Sequence, residues 1–365
     1  MPPVMDIRMM NHSGIGVYIQ GLLEGMARLA DAPEFVFYGP VRFRSRVPER
    51  LCHSYYLRDF PIYSLKEQIL FPEDLRFQEL FHSPHYNIPL RFRNRLVVTI
   101  HDLNHLEFPE NLASPLHRAY AKYMYHEIAV RADHIITDSR KIKNDVMEKL
   151  GVEENRITVI PLGVSRNFQP CSDEEKIRDF REKHQIPERY LFVMGINKPH
   201  KNFRFLFRAL RGLWESKKLK LPLVIAGPGD KGKRDIVNLS NEEGVQQYIY
   251  PAGSFTRDEA PILYQGAEAL IFPSLYEGFG LPPLEAMKMD VPVLASNREP
   301  MTEVIGEAGI YFDPESEEDL QTKLTELFEN PGKKKEFVQK GRENLKRFDW
   351  KKTAEKTLDI YRRVI

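Results

Sequence analysis

The sequence predicts an α/β protein of two domains, each built on a parallel sheet with crossover helices. Short apolar or β-branched runs alternate with amphipathic segments of helical length along the whole chain, which is the pattern of parallel strands joined by helices. A chain of 365 residues is also too long for a single typical core. The hydrophobic content of 42% is that of a globular protein.

Eleven strands are predicted, five in the first half of the chain and six in the second. The first five are 35–38, 80–83, 96–100, 134–137 and 157–160. The other six are 190–194, 223–226, 247–250, 269–272, 291–294 and 310–312. Helical patterns between the first five strands cover 16–29, 114–132 and 139–150. Ser139 is expected to cap the last of these helices.

The domain boundary is predicted in the stretch 161–170, which is rich in turn-forming residues and precedes a charged helical pattern at 172–184. This places the first domain at 1–165 and the second at 166–349. Ligands in open α/β sheets bind beyond the carboxyl ends of the strands. Functional residues are therefore expected on the loops that follow strands.

The most informative stretch is Glu277-Gly278-Phe279-Gly280-Leu281-Pro282-Pro283-Leu284-Glu285, which follows an apolar strand. A strand that turns on glycine into a helix directs backbone N–H groups and the positive end of the helix dipole at one point, where a phosphate binds well. Carboxylates cannot hold the phosphate, but they can accept hydrogen bonds from hydroxyls on either side of it. A sugar nucleotide has such hydroxyls on both sides of its diphosphate. The alternative is an ordinary strand–turn–helix with surface glutamates.

The same stretch resembles the E-x7-E motif of the family-four retaining glycosyltransferases. The residues Gly-Phe-Gly-Leu-Pro-Pro between its two glutamates are typical of that family. The resemblance covers nearly the whole chain and is densest from Lys201 to Asn297. The runs His101-Asp102-Leu103 and Phe108-Pro109-Glu110 look most like bacterial polysaccharide and O-antigen mannosyltransferases. The resemblance implies the GT-B fold, in which two Rossmann-like domains face each other across a cleft.

In that fold the N-terminal domain lies on the acceptor side and the C-terminal domain binds the nucleotide sugar. The resemblance also implies that the last helix, assigned here to residues 350–365, crosses back to the N-terminal domain. Four apolar residues are expected to anchor it there: Phe348, Trp350, Leu358 and Tyr361.

The resemblance assigns the donor-binding residues of the second domain. Lys201 matches the family lysine that binds the diphosphate, and Glu277 and Glu285 would bind hydroxyls of the transferred sugar and of the ribose. The arginine that many members carry after the glycine is replaced by Ile196, so Lys198 is the candidate for a second positive charge. Backbone groups would complete the donor site at Pro251, Gly253, Gly278, Phe279, Gly280 and Leu281.

In the first domain His101 matches a histidine that lies beside the donor sugar, and Asp102 is a candidate to orient it. A histidine satisfied at a strand end is the structural alternative. Gly14 and Gly16 would let the backbone approach the donor diphosphate or the acceptor closely. His85, Tyr86 and Asp102 are candidates for the acceptor side, although His85 and Tyr86 could equally be packing residues. The catalytic residues expected from this comparison are His101, Lys201 and Glu277.

The predicted function is that of a retaining glycosyltransferase. It would move a hexose to a hydroxyl of a saccharide or lipid-linked saccharide. The first candidate for the hexose is mannose, with GDP-mannose as its donor. One alternative is a sugar-nucleotide epimerase on the same scaffold, against which the E-x7-E spacing argues. Another is a non-catalytic subunit that binds sugar nucleotides.

Composition limits the partners. A formal net charge of +1 gives no overall field for nucleic acid. No apolar stretch is long enough to span a bilayer, no signal-peptide pattern occurs at 1–10, and two distant cysteines suggest a reducing cytoplasm. No cluster has metal-ligand spacing, so no metal or other cofactor is expected. Local arginine runs leave open a peripheral contact with anionic lipid at the inner face of a membrane: Arg42, Arg44, Arg46 and Arg50, then Arg91, Arg93 and Arg95.

Overall fold

The structure is a computed structural model that describes residues 1–60, 62–71, 73–112, 114–166, 168–227 and 229–365. The side chains of Ser13, Leu65, Asp74, Asn111 and Asp230 are not part of that description. The strands are β1 Val4–Asp6, β2 Phe35–Gly39, β3 Cys52–Leu57, β4 Leu80–Ser83, β5 Arg95–Ile100, β6 His134–Thr137, β7 Ile157–Val159, β8 Tyr190–Met194, β9 Leu223–Ala226, β10 Ile249–Gly253, β11 Ala267–Phe272, β12 Val293–Ser296 and β13 Gly309–Phe312.

The α-helices of the described residues differ widely in length, from four to 17 residues. They are α1 Ser13–Ala27, α2 Leu65–Ile69, α3 Asn104–Glu107, α4 Pro115–Arg131, α5 Arg140–Leu150, α6 Glu174–His184, α7 Phe203–Glu215, α8 Asp230–Glu242, α9 Ala260–Gln265, α10 Leu281–Lys288, α11 Met301–Ile305, α12 Glu317–Glu329, α13 Pro331–Asn344 and α14 Trp350–Val364.

The chain divides into two compact units. Unit 1 comprises Met1–Gly163 and Phe348–Ile365, and unit 2 comprises Val164–Arg347. Unit 1 contains a seven-stranded sheet in the order β3-β2-β1-β4-β5-β6-β7, and unit 2 a six-stranded sheet in the order β10-β9-β8-β11-β12-β13. All strand pairs in both sheets are parallel. The predicted α/β fold class with two parallel-sheet domains is confirmed.

Each sheet has one point where the strand order reverses, between β1 and β4 in unit 1 and between β8 and β11 in unit 2. The crevice at such a point is where open α/β sheets bind ligands. Helix α7 shows how the crossovers cover the unit 2 sheet. Its buried side chains recur at spacings of three and four residues, which is the period of one helix face: Phe203, Leu206, Phe207, Leu210 and Leu213.

Every predicted strand overlaps an observed one, but three differences have physical causes. β1 lies outside the prediction because it has only three residues. β3 also lies outside it, since the edge strand Cys-His-Ser-Tyr-Tyr-Leu is only half-buried and has no apolar run. β10 begins two residues later than expected because Gln246–Tyr248 forms a 3-10 turn. β10 can include Pro251 because it is an edge strand.

The C-terminal helix α14 belongs to unit 1, as the resemblance implies, and packs along α1. The four expected anchors, Phe348, Trp350, Leu358 and Tyr361, are all 5% exposed or less. The Tyr361 hydroxyl forms a hydrogen bond of 2.5 Å with Nδ1 of His82, whose Nε2 lies 2.9 Å from Oγ1 of Thr99. Burial lowers the pKa of His82 to about 3, so this ring stays neutral.

Among the described residues, no helix combines the length and the hydropathy needed to cross a bilayer.

Candidate active site

The reversal point of the unit 2 sheet brings two loops together. One loop follows β8 and leads through the 3-10 turn Pro199–Lys201 into α7. The other follows β11 and leads into α10. The backbone N–H of Leu275 donates to the carbonyl oxygen of His200 at 2.7 Å, which fixes the two loops to each other.

Lys201 and Glu277 form an ion pair across these loops. Nζ of Lys201 lies 2.5 Å from Oε1 of Glu277, and the two side chains are 18% and 15% exposed. The same ammonium lies 5.7 Å from the ring centroid of Phe272, at the end of β11. An ammonium has three N–H donors, so Lys201 can keep this bond and still donate to an anionic ligand. The structure thus brings together two of the predicted catalytic residues.

The turn after Glu277 requires glycine at position 280. Gly280 has a φ of +99°, which side chains rarely tolerate. A Cβ there would also lie 2.6 Å from Cε of Met301. Helix α10 begins at the next residue, Leu281, and Pro282 and Pro283 carry no N–H that would need a partner in the first turn.

Glu285 is held in place by Tyr264. The Tyr264 hydroxyl donates to Oε2 of Glu285 at 2.7 Å, and no described residue engages Oε1. Burial raises the pKa of Glu285, while the bond from Tyr264 opposes that rise. No sequence pattern points to Tyr264, which is a single tyrosine in an apolar helix 21 residues before Glu285. Its ring is fixed by edge contacts with Phe168 and Phe192, at centroid distances of 5.5 and 5.0 Å.

The other predicted donor-binding residues of unit 2 lie on the same edge of the sheet. Lys198 is half-buried and precedes the 3-10 turn that carries Lys201. Pro251 and Gly253 are in the last residues of β10. Phe279 is buried, at 5% exposed, and so serves the packing of the turn.

In unit 1 the carboxylate that orients His101 is Asp138, not Asp102 as expected. Nδ1 of His101 lies 2.6 Å from Oδ2 of Asp138. The reason is strand order, since Ile100 in β5 is paired with Thr137 in β6 and each of the two residues follows its strand directly. Oδ1 of Asp102 instead accepts from the backbone N–H of Asn104 at 2.9 Å, at the start of α3.

His101 has an acceptor at each ring nitrogen. Nε2 lies 3.1 Å from the carbonyl oxygen of Pro84, opposite the bond to Asp138. Only the charged imidazolium can donate from both nitrogens. Burial lowers the pKa of His101, but the Asp138 carboxylate outweighs burial and leaves that pKa above its ordinary value. In its charged form the ring has no lone pair with which to accept a proton from a substrate.

The glycines before α1 differ in their surroundings. A Cβ on Gly16 would collide with the carbonyl oxygen of Met10, so this glycine allows α1 to pack on its own preceding loop. A Cβ on Gly14 would meet nothing within 4 Å, and Gly14 is exposed. Of these two glycines, Gly14 is the one that has room for a ligand beside it.

Of the three candidates for the acceptor side, Asp102 is half-buried, and His85 and Tyr86 are buried, at 9% and 5% exposed. Tyr86 is stacked between Tyr63 and Tyr125, with centroid distances of 5.6 and 4.6 Å. His85 lies 3.0 Å from the Tyr63 hydroxyl through Nε2. Both residues therefore have a packing role here, and Tyr63, which is half-buried, covers them.

Two other expectations concern ions. In the described part of the chain, no three His, Cys, Asp or Glu side chains are grouped so that they could hold a metal. Several of the exposed arginines have partners in the fold: Arg42 pairs with Asp59 at 2.8 Å, and Arg50 donates to the carbonyl oxygens of Met26 and Ala27 at the end of α1.

Comparison with known proteins identifies both halves of the chain. The family model "Glycosyltransferase Family 4" matches residues 12–168, and "Glycosyl transferases group 1" matches residues 176–344. O-antigen chain mannosyltransferase B of Escherichia coli is 26% identical over 372 residues, covering 96% of each chain. O-antigen chain mannosyltransferase RfbU of Salmonella typhimurium is 27% identical over 257 residues, covering 70% of this chain and 66% of RfbU.

Solved structures agree on the fold. The crystal structure of HepE from Anabaena in complex with UDP and glucose covers 100% of both chains with a TM-score of 0.75, at 15% identity. The two-unit architecture is therefore that of the GT-B glycosyltransferases. These findings support transfer of a sugar over epimerisation.

The pairing of His101 predicts the effect of Asp138→Asn. Without the carboxylate, burial is the largest remaining influence on the ring and is opposed only by Asp102 and the Pro84 carbonyl, so the pKa of His101 should fall from its raised value. The pair stabilises the fold while His101 is charged, and this stabilisation is lost as pH rises through the raised pKa. The variant should thus cost roughly 3 kcal/mol near pH 6 and less in alkali. NMR titration of ring-labelled histidine, assigned with His101→Gln, measures the shift; an unchanged His101 titration would contradict the pairing.

Proposed function

We propose that this chain, which belongs to the GT-B glycosyltransferases matched by the group 1 and family 4 models, is a retaining enzyme that transfers a hexose from a nucleoside diphosphate sugar to a hydroxyl of a saccharide or lipid-linked saccharide. The observation that carries this proposal is the ion pair of Lys201 and Glu277 at the reversal point of the unit 2 sheet. One partner suits the leaving diphosphate and the other suits the sugar.

Mannose is the first choice for the sugar and GDP-mannose for the donor. Two relatives that match much of this chain are named O-antigen mannosyltransferases. The UDP and glucose in the HepE title belong to a protein that shares only the fold at 15% identity. The base of the donor is thus proposed from the relatives and not from the structural neighbour.

Lys201 is proposed to stabilise the leaving group. When the bond between the anomeric carbon and the diphosphate oxygen breaks, the electron pair stays on that oxygen. A fixed ammonium stabilises this charge more in the transition state than in the ground state. The bond to Glu277 holds Nζ in place before the donor arrives. Lys198, half-buried on the same loop, is the proposed second positive charge.

The two glutamates are proposed to bind hydroxyls on either side of the diphosphate. Glu277 keeps Oε2 for the hydroxyls of the hexose while Lys201 occupies Oε1. Glu285 offers Oε1 to the ribose while Tyr264 occupies Oε2. The turn from Gly278 to Leu281 and the start of α10 would contribute backbone groups and the helix dipole to the diphosphate.

The acceptor proton is proposed to pass to the leaving diphosphate oxygen. The acceptor oxygen forms its bond to the anomeric carbon on the face from which the diphosphate departs, so configuration is retained. His101 is unsuited to accept this proton, because both of its ring nitrogens face acceptors and its pKa is raised by Asp138. Its role is proposed to be that of a fixed donor-side contact.

Membrane contact is proposed for helix α4 of unit 1. Leu116, Tyr123 and Val130 are 81%, 48% and 65% exposed and recur every seven residues, which keeps them on one face of the helix. Lys122 is exposed on the flank of this stripe. An apolar stripe with a flanking basic residue suits an anionic bilayer surface, where a lipid-linked acceptor would reside.

The role of Lys201 predicts the effect of Lys201→Ala on transfer. Loss of the positive charge should cost about 3 kcal/mol in the barrier, or a hundredfold or more in turnover. Transfer from GDP-mannose to an acceptor saccharide measures this, with Lys220→Ala as a control on an exposed lysine of the same unit. Turnover close to that of the control would rule out the role.

The role of Glu285 predicts the outcome of a thermal-shift screen with UDP-, GDP-, ADP- and dTDP-sugars. The bound donor should raise the melting temperature, and GDP-mannose should give the largest rise. Glu285→Ala should abolish most of that rise, and Tyr264→Phe should reduce it by a smaller amount, because the carboxylate remains but loses its anchor. A full rise in Glu285→Ala would refute the ribose assignment.

The proposed membrane face predicts co-sedimentation with liposomes that contain anionic lipid and weaker binding to zwitterionic ones. Leu116→Ser combined with Tyr123→Ser should lower binding several-fold, because both residues would lose apolar burial in the bilayer. Val237→Ser, at an exposed apolar residue of unit 2, is the control. Binding that does not depend on anionic lipid would argue against the proposal.

A further inference from the structure

Three glycines line the carboxyl edge of the unit 2 sheet side by side. Gly195, Gly227 and Gly253 have φ values of +151°, +109° and +77°. The N–H of Gly195 donates to Ala226 O, and the N–H of Gly227 donates to Gly253 O, at 2.9 and 3.1 Å. The ends of β8, β9 and β10 thus carry a row of three residues that have no side chain of their own, called here the glycine trough. It spans two interstrand spacings, or about 10 Å.

A lysine lies at each end of this glycine trough. Cδ and Cε of Lys201 lie 3.6 and 3.7 Å from the position that a Cβ on Gly195 would occupy. At the other end, Nζ of Lys233 lies 3.0 Å from the position of a Cβ on Gly253. Lys201 is at the reversal point of the sheet, where the proposed diphosphate site lies, so Lys233 is two strands away from it. That separation is of the order of the distance from a diphosphate to the far edge of its base.

Lys233 occupies an unusual place on helix α8. The buried face of α8 is formed by Ile236, Leu239 and Ser240, and Lys233 is one turn before them on the same side. A charged residue at an inward position costs stability. Residues that break the local pattern in this way are expected at functional sites. Lys233 is half-buried, and its ammonium group forms no hydrogen bond or ion pair with the residues whose side chains are described.

The end of β10 is also linked to the proposed ribose site. Burial raises the pKa of Glu285, and the charge of Arg257, four residues after Gly253, opposes that rise. The segment after β10 therefore lies near the residue proposed to bind the ribose. A base attached to that ribose would have the glycine trough and Lys233 within reach.

We propose that Lys233 reads the base of the donor nucleotide by donating a hydrogen bond to a ring carbonyl oxygen. An ammonium only donates, so it matches the 6-oxygen of guanine or the 4-oxygen of uracil and opposes the amino group of adenine. This proposal rests on the proposed nucleotide-sugar function and extends it to base selection.

The test compares affinities for GDP, UDP and ADP by calorimetric titration of the full chain, as wild type, Lys233→Met and Lys231→Met. Lys231 is exposed on the same helix and serves as the matched control. The preferred nucleotide is then compared with its analogue without the base oxygen: 2-aminopurine riboside diphosphate for GDP, or pyrimidin-2-one riboside diphosphate for UDP. Two controls test whether the variants fold normally. One is Lys233→Arg, which keeps a hydrogen-bond donor, and the other is the circular dichroism spectrum of each variant.

The expected result is that Lys233→Met weakens binding of the preferred nucleotide about tenfold or more, while Lys231→Met does not. The analogue should bind wild type as weakly as Lys233→Met binds the natural nucleotide, and the variant should bind both alike. If Lys233→Met lost the same factor of affinity for the nucleotide and for its analogue, the proposal would be overturned, because Lys233 would then contact phosphate or ribose. Preference for ADP would also overturn it.

Two outcomes distinguish a failure of base reading by Lys233 from a failure of the proposed nucleotide-sugar function. If Lys201→Ala loses nucleotide affinity and Lys233→Met keeps it, base reading by Lys233 is wrong and the donor site stands. If wild type binds none of the three nucleotides, the base reading falls together with the proposed function.

Discussion

The ion pair between Lys201 and Glu277 is the interaction on which the proposed donor site depends. A carboxylate beside a diphosphate would repel it, yet a carboxylate is needed to accept hydrogen bonds from the sugar. Pairing solves this conflict, because Lys201 neutralises Glu277 at 2.5 Å and still has two N–H donors for the phosphate. The geometry comes from the fold, since the loops after β8 and β11 meet at the reversal point and are fixed by the bond from Leu275 to His200.

Unit 1 uses a second ion pair for a different purpose. Asp138 keeps the pKa of His101 raised, and the Pro84 carbonyl occupies the remaining ring nitrogen. A ring whose two nitrogens both face acceptors and whose pKa is raised is poorly suited to act as a base. The Tyr18 ring contacts His101 edge-on, and its hydroxyl lies 2.9 Å from Thr99, which also binds His82. Through His82 and Tyr361 this polar chain reaches α14, so the C-terminal helix contributes to the surroundings of His101.

Sequence patterns predict the fold and the residues of the donor loops because each signal is local. An apolar run followed by glycines marks a strand end. Lys201 and Glu277 lie on the loops that follow such ends, and Glu285 lies in the helix after the second loop. Partners that depend on strand order are not visible locally. Asp138 becomes the partner of His101 only because β5 and β6 are adjacent, and Tyr264 reaches Glu285 from another helix. The same limit applies to Lys233. Nothing in the sequence distinguishes it from other lysines, because its proximity to Gly253 exists only in the folded chain.

The most direct test of the Lys201–Glu277 account compares two ligands in one variant. Calorimetric titration of Glu277→Gln with GDP and with GDP-mannose separates the diphosphate from the sugar. If Glu277 binds the hexose hydroxyls, the variant should lose at least tenfold in affinity for GDP-mannose, about 1.4 kcal/mol. It should keep or gain affinity for GDP, because the amide oxygen can still accept from Lys201 and the negative charge beside the diphosphate is gone. An equal loss for both ligands, or no loss for GDP-mannose, would contradict the assignment of Glu277 to the sugar.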